Sequence, residues 1–330
     1  MHSQIILFIF GFLISNLLFK IFISKLSNKF IDIPNKRSLH NIPTPRGGGI
    51  IFIFISIISS LIYILIYGFT KELIIPFLIL PLGIIGFIDD YFTLKPKVKY
   101  LIQLLTCIFI YFTSNLFIGL NLNNFYGFIL FLFILIFLTA VINFVNFMDG
   151  IDGLVASCIF ISISTTCIVL EIEQSYIFLL SSLISFILLN WHPAKLFMGD
   201  SGSTFLAAIN ISLICISNNF TQAFNLLLIL SPLLIDPFIC IIRRFFYRQN
   251  IFLPHRLHLY QRLNIQGLRQ DKICLIYITS TSCLAISNIF LDLRFTLLFV
   301  LITFLFGIYF DQMVAEPFKE TLKKSRDNLL

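Results

Sequence analysis

Seven side chains in three short stretches could do chemistry on a phosphate or a cation. Asp89 and Asp90 adjoin. Asn143, Asn146, Asp149 and Asp152 recur every three residues, and Asp200 stands between glycines in Gly199-Asp-Ser-Gly202. Adjacent carboxylates repel when they are taken out of water, and a divalent cation or a nearby lysine relieves that repulsion. If the helix before Asn143 continues, the four members of the second group share one face. Asn and Asp are suited to the donors and acceptors of a nucleobase, ribose or sugar. The plainer readings are a solvated helix terminus with an Asp/Lys pair for the first group and hydrogen bonds between helices for the second.

Three further stretches supply partners. Asp32 to Gly49 carries three prolines and Gly47-Gly-Gly49 near Arg37, His40 and Arg46, which suits a phosphate or sugar contact where a helix opens. A tight re-entry turn with topology-setting charges is the alternative. Trp191 to Ser203 brings Asp200 together with Phe197, a ring that could stack on a base. His255-Arg-Leu-His258, followed by Arg262, reads as a cationic clamp for a diphosphate, with a basic segment resting on anionic lipid as the alternative. No cysteine lies near these histidines in sequence, so they make a weak zinc site. Asp236 sits within an apolar run and is expected to pair with a nearby arginine or to pack between helices.

The elements that position these groups are membrane helices. Hydrophobic residues make up 58% of the 330 positions, charged residues 12%, and mean hydropathy is +0.97. A soluble fold would be left with apolar patches far beyond what water tolerates, so the solvent is lipid. Apolar runs long enough to cross a bilayer, on the order of 17–25 residues, fall near 4–22, 50–68, 73–88, 100–118, 126–145, 154–170, 176–190, 203–219, 224–242, 273–290 and 295–311. An all-α, polytopic bundle of about ten to eleven helices follows, forming a single domain over 1–330. The first run lacks a basic leader and a small-residue cleavage site, so it reads as a retained span.

With the N-terminus outside, 21 of the 23 Lys and Arg residues fall on the inner side, Lys71 and Arg294 excepted. The C-terminus is then cytosolic, and every unusual connection faces the cytosol. The net charge of +7 records topology and not nucleic-acid binding. All seven cysteines lie in apolar runs with no C-x-x-C pair, which fits buried thiols. A transporter of an anionic solute is the competing class, although transporters place binding groups near the midplane of broken helices.

Taken together, the motifs resemble the polyprenyl-phosphate N-acetylhexosamine-1-phosphate transferase family. The matching pieces are D-x-P-x-x-R-x-x-H with P-x-P-R-G-G-G, the D-D pair, N-x-x-N-x-x-D-G-x-D-G-L, F-M-G-D-S-G-S and H-R-x-H-L-Y-Q-R-L, in order from Asp32 to Leu263. The histidine run is similar to the O-antigen-initiating branch more than to the peptidoglycan branch, which has three adjacent histidines there.

The resemblance implies a reaction in which a UDP-N-acetylhexosamine and a polyprenyl (undecaprenyl) phosphate give polyprenyl-diphospho-sugar and UMP. It implies Mg²⁺, for which Mn²⁺ could stand in, and a bacterial inner membrane with the site on the cytosolic face. Asp89, Asp90 and Asp200 would be catalytic, with Asp200 and Asp89 as metal ligands. Asn146, Asp149 and Asp152 would hold the nucleoside and sugar, Phe197 would stack on uracil, and Lys97 would face phosphate. His255, Arg256 and His258 would bind the diphosphate, with His40 and Arg46 from the first loop. No nucleic-acid partner is implied, and a homodimer is compatible with the family.

Overall fold

The computed structural model describes residues 2–25, 30–34, 39, 42–92, 94–120, 122–251, 253 and 255–327. His40 and Arg37 lie outside them. Helices dominate, as the apolar runs require, because a backbone in lipid must satisfy its own polar groups. In chain order they are α1 (His2–Lys25), α2 (Gly49–Tyr67), α3 (Lys71–Phe92), α4 (Pro96–Thr113), α5 (Phe125–Phe147), α6 (Leu154–Leu170) and α7 (Glu173–Asn190). There follow α8 (Gly199–Cys215), α9 (Phe220–Leu228), α10 (Ser231–Phe246), α11 (Leu259–Ile265), α12 (Gln270–Phe290), α13 (Leu293–Met313) and α14 (Phe318–Asp327). The protein is an all-α, multi-pass membrane protein.

Each of the eleven apolar runs carries helix. Among the described residues, seven helices have the length and apolarity of a crossing: α1, α2, α3, α5, α7, α12 and α13. The run expected over 224–242 is not one straight span. It divides into α9 and α10, bent by 76° at Ile229-Leu230, where Pro232 opens the new helix. Counted as one span, the bent pair makes eight. The other expected spans, α4, α6 and α8, are 18, 17 and 17 residues long and fall outside that set. In α8 the reason is position, since fourteen of its residues are buried against protein and need not be apolar enough for lipid.

Helix α8 is the axis of the bundle, with α2, α3, α5 and α6 against it. Backbone meets backbone there. A Cβ on Gly49 of α2 would overlap Gly202 of α8, and one on Gly86 of α3 would lie 2.6 Å from the Ser201 Cα. Deep in α8, Asn210 donates to the Ser162 hydroxyl at 2.8 Å and Ser212 to the Ala208 carbonyl at 2.6 Å. By contrast α13 is peripheral, with Thr296 its one buried residue. A two-stranded antiparallel ribbon, β1 (Ile31–Asp32) with β2 (Thr44–Pro45), closes the base of the first loop, pairing Ile31 with Pro45 and Asp32 with Thr44.

The Gly47-Gly-Gly49 run does allow a close approach, but to protein backbone. Gly48 N–H donates to the Phe197 carbonyl at 3.0 Å and Gly49 N–H to the Met198 carbonyl at 2.9 Å, while Phe197 N–H donates to the Pro45 carbonyl at 2.7 Å. The loop before α2 and the loop between α7 and α8 are thereby zipped together at the N-terminus of α8. These amides are spent on the fold and do not cradle a phosphate.

Candidate active site

Asp90 lies in the last turn of α3 and caps α8. Its Oδ1 accepts the Asp200 N–H at 3.0 Å, and its Oδ2 accepts the Ser201 N–H at 3.3 Å and the Ser201 hydroxyl at 2.8 Å. A helix N-terminus presents unpaired N–H groups and partial positive charge, so a buried carboxylate is satisfied there. Gly199, at φ +77°, makes room, since any Cβ would collide with that carboxylate. Arg46 reaches the same corner, donating from Nη2 to the Asp90 carbonyl at 2.7 Å.

Asp89 points the other way. Its Oδ1 accepts the Leu94 N–H at 2.6 Å, and its Oδ2 accepts the Lys99 ammonium at 2.8 Å. The same ammonium donates to Asp200 Oδ2 at 2.7 Å. Lys99 therefore joins the Asp89-Asp90 pair to the Gly199-Asp-Ser-Gly202 stretch. Lys97, the expected phosphate lysine, is exposed at the start of α4 and lines neither cavity described below. Helical period decides between the two lysines. Lys99 and Gln103 stand one turn apart on the inward face, and Gln103 is a buried polar residue at 4% exposure.

The Asn143 to Asp152 stretch does not continue as one helix. Helix α5 stops at Phe147 and the chain turns through Met148 to Gly153, where Gly153 adopts φ +77°. Asn143 and Asn146 share the helix face, whereas Asp149 and Asp152 come from the turn. Asn143 donates to the Thr139 carbonyl, and Asn146 Oδ1 accepts the Ser203 hydroxyl of α8. Asp152 Oδ2 accepts His192 Nδ1 at 2.7 Å and the Ala194 N–H at 3.1 Å.

The Asp149 N–H donates to the Asn146 carbonyl at 3.1 Å, and its carboxylate has no hydrogen-bond partner among the described residues. Burial, reinforced by Asp200, Asp90 and Asp152, pushes its carboxyl up to about 8.

Two cavities meet over these groups. The first, about 220 Å³, is acidic: Asp32, Asp90, Asp149, Asp152 and Asp200 line it with Arg46, Asn146 and Phe197. The second, about 510 Å³, has a mostly apolar wall, including Leu82, Ile85, Ile241 and Leu253, and a polar end with Lys99, His255 and His258. Asn146, Asp200 and Gln261 line both. Asp89 and Arg256 line neither.

The cationic clamp is not built as expected. Burial, with His258 and Arg244 beside it, holds the His255 imidazole down to about 3, so it is neutral. Its Nδ1 accepts the Leu257 N–H at 3.3 Å, which leaves Nε2–H as a donor. His258 is 4% exposed, with Nδ1 3.7 Å from Asp236 Oδ1, and Asp236 also accepts the Leu259 and Tyr260 N–H groups and the Tyr277 hydroxyl. Asp236 thus anchors the start of α11. Arg262 is 2% exposed and bonds Asp311 of α13 and the Glu316 carbonyl, so its charge holds the loop to the bundle. Cys240 lies close in space though not in sequence, and the ligand atoms of Cys240, His255 and His258 fall within 4.8 Å of one another.

For a metal, the acidic cavity offers hard oxygen donors, the set that Mg²⁺ prefers. Asp200 and Asp149 fit that task, since the Asp149 carboxylate has no hydrogen-bond partner among the described residues and is crowded by negative charge. Asp90 has both oxygens engaged by α8, and Asp89 lies on the far side of Lys99. Lys99, Gln261, Gln270 and His192 are site residues that the motifs alone did not single out.

Fold and site together define a polytopic helical membrane protein with a carboxylate-lined cavity adjoining a largely apolar one. Residues 73–218 match the model of Glycosyl transferase family 4. The chain is 29% identical over 314 residues to the "Probable undecaprenyl-phosphate N-acetylglucosaminyl 1-phosphate transferase" of Bacillus subtilis, covering 87% of this chain and 84% of that one. It is 30% identical over 231 residues to the phospho-N-acetylmuramoyl-pentapeptide-transferase of Wolbachia sp. subsp. Brugia malayi, covering 61% of this chain and 69% of that one. The protein of that name from Fervidobacterium nodosum is 32% identical over 201 residues, and the chain spans 62% of its length. This chain belongs to Glycosyl transferase family 4.

Proposed function

We propose that the protein transfers N-acetylhexosamine-1-phosphate from a UDP-sugar to undecaprenyl phosphate, as the first membrane step of a cell-surface polysaccharide such as O-antigen. The observation that carries this reading is the seam between the cavities. A water-soluble, anionic, metal-bound donor suits the acidic chamber, a polyprenyl chain suits the apolar one, and the three shared residues mark where their phosphates would meet. Family membership and the names of the bacterial relatives support the same chemistry.

In this reading a terminal oxygen of the lipid phosphate attacks the sugar-bearing phosphorus. The bond from that phosphorus to the bridging oxygen breaks, and UMP departs with the electron pair. A phosphate monoester has a second pKa near about 6, so the acceptor is mostly dianionic at neutral pH and needs little help from a base. The harder task is to bring anions together. Lys99 supplies a fixed positive charge between Asp89 and Asp200, and the neutral His255 donates from the side of the second cavity. Asp90 keeps Asp200 and the α8 N-terminus in place, and Arg46 keeps Asp90 in place. Mg²⁺ held by Asp200 and Asp149 would neutralise the donor diphosphate and the leaving UMP. Phe197 and Asp152 would take the uracil, and Asn146 the sugar side. The whole chain, 1–330, acts as one catalytic unit in the bacterial inner membrane with its site toward the cytosol.

The test is an assay of the detergent-solubilised protein with undecaprenyl phosphate, Mg²⁺ and a panel of UDP-N-acetylhexosamines, following UMP and lipid product. UMP release that requires both lipid and metal, and that disappears in Asp200→Asn, is the expected result and names the sugar. Folded protein that turns over no donor in the panel would remove the reading.

A further inference from the structure

Asp152 is held from two sides. Its N–H donates to Gln270 Oε1 at 3.3 Å, and Gln270 Nε2 donates in turn to the Leu39 carbonyl at 2.8 Å. Its Oδ2 carries two donors, His192 Nδ1 and the Ala194 N–H. Pinned at that oxygen and at its backbone, the carboxylate cannot swing, and Oδ1 remains as the acceptor for whatever enters the acidic cavity that Asp152 lines. With 8% exposure, Asp152 relies on these donors in place of water.

We propose that His192 is a positioning residue for the nucleotide. Its Nδ1–H fixes the Asp152 carboxylate so that Oδ1 accepts a ring N–H from the base of a uridine nucleotide. This rests on the nucleotide-sugar reading above. The chemistry selects the base. A carboxylate only accepts, uracil presents an imide N–H between two carbonyls, and cytosine presents a bare acceptor nitrogen at that edge. His192 contributes through Asp152 and touches neither phosphate nor sugar in this scheme, so its loss would be felt in nucleotide affinity and not in turnover.

UMP and CMP binding to the full-length protein in detergent, measured by calorimetry beside steady-state kinetics, tests this. His192→Ala is expected to raise the UMP Kd and the donor KM about tenfold, while kcat and the lipid KM stay within about twofold. The preference for UMP over CMP narrows. His192→Asn, whose side-chain amide can still donate to Asp152, recovers most of the UMP affinity. If wild type binds UMP and His192→Ala binds it equally well, the inference falls and the transferase reading stands. Equal loss of UMP and CMP, or loss of kcat with unchanged KM, would also overturn it by assigning His192 to the folding of its turn. A wild-type protein that neither binds UMP nor consumes any UDP-sugar would instead overturn the transferase reading itself.

Discussion

At the scale of single residues, the distribution of charge around Asp200 makes sharp predictions. Lys99→Met removes the ammonium that joins Asp89 to Asp200 and is expected to lower kcat by about a hundredfold or more, while the exposed Lys97→Met stays near wild type. Steady-state UMP release on the two variants decides it. Asp149 makes a pH prediction. Its carboxyl titrates near about 8 in the folded protein and near about 3.9 when unfolded, so the native state binds the proton more tightly. Its contribution is therefore full below the unfolded value and is lost as pH rises through the folded one. Thermal unfolding of metal-free protein should show a stability loss between pH 4 and 8 that Asp149→Asn flattens. Added Mg²⁺ should raise Tm more at pH 8.5 than at pH 6. The carboxylates themselves were legible in the sequence, because clustered acids at the ends of apolar runs need a partner. Choosing Lys99 over Lys97 required knowing where α4 begins, since a shift of two positions moves a side chain to the opposite face.

At the scale of elements, the site depends on helices brought closer than side chains would allow. Gly49→Ala would force α2 away from α8, a clash with backbone that no rotamer change can relieve, and is expected to destabilise the protein by about 3 kcal/mol. Gly68→Ala, where a Cβ has open space but φ is +89°, tests backbone strain alone and is expected to cost about 1 kcal/mol. Thermal stability of the two in detergent separates contact from conformation. The helices were readable from hydropathy and the bend between α9 and α10 was not, since Ser231-Pro232 can begin a helix or kink one equally well. The stop of α5 at Phe147 was hidden in the same way, because the every-third spacing of Asn and Asp suits a helix face and a turn alike. The zipper between the loop before α2 and the loop between α7 and α8 could not have been read at all, since it joins backbone groups about 150 residues apart.

For the whole molecule, the basic residues predict an orientation that labelling can check. Six of the seven cysteines are buried and Cys283 is partly so, which keeps the background low. In intact bacterial cells, Glu173→Cys should react with a membrane-impermeant maleimide, and Lys195→Cys should react only after permeabilisation. The reverse pattern would put the site on the outer side, where no UDP-sugar is available, and would count against the transferase. The bundle itself came from composition, and its orientation rests on loop charges.

Because Asn146, Asp200 and Gln261 line both chambers, two ligands that fill them lie against the same three side chains. A single molecule with a uridine head and an alkyl tail, joined by a short spacer, could therefore occupy both at once. Its second half would bind at an effective concentration in the millimolar range, which can raise affinity by about a hundredfold or more over either half alone. A series of such conjugates differing only in spacer length should show one sharp optimum in inhibition, and the length at that optimum would measure the distance between nucleobase and lipid phosphate directly.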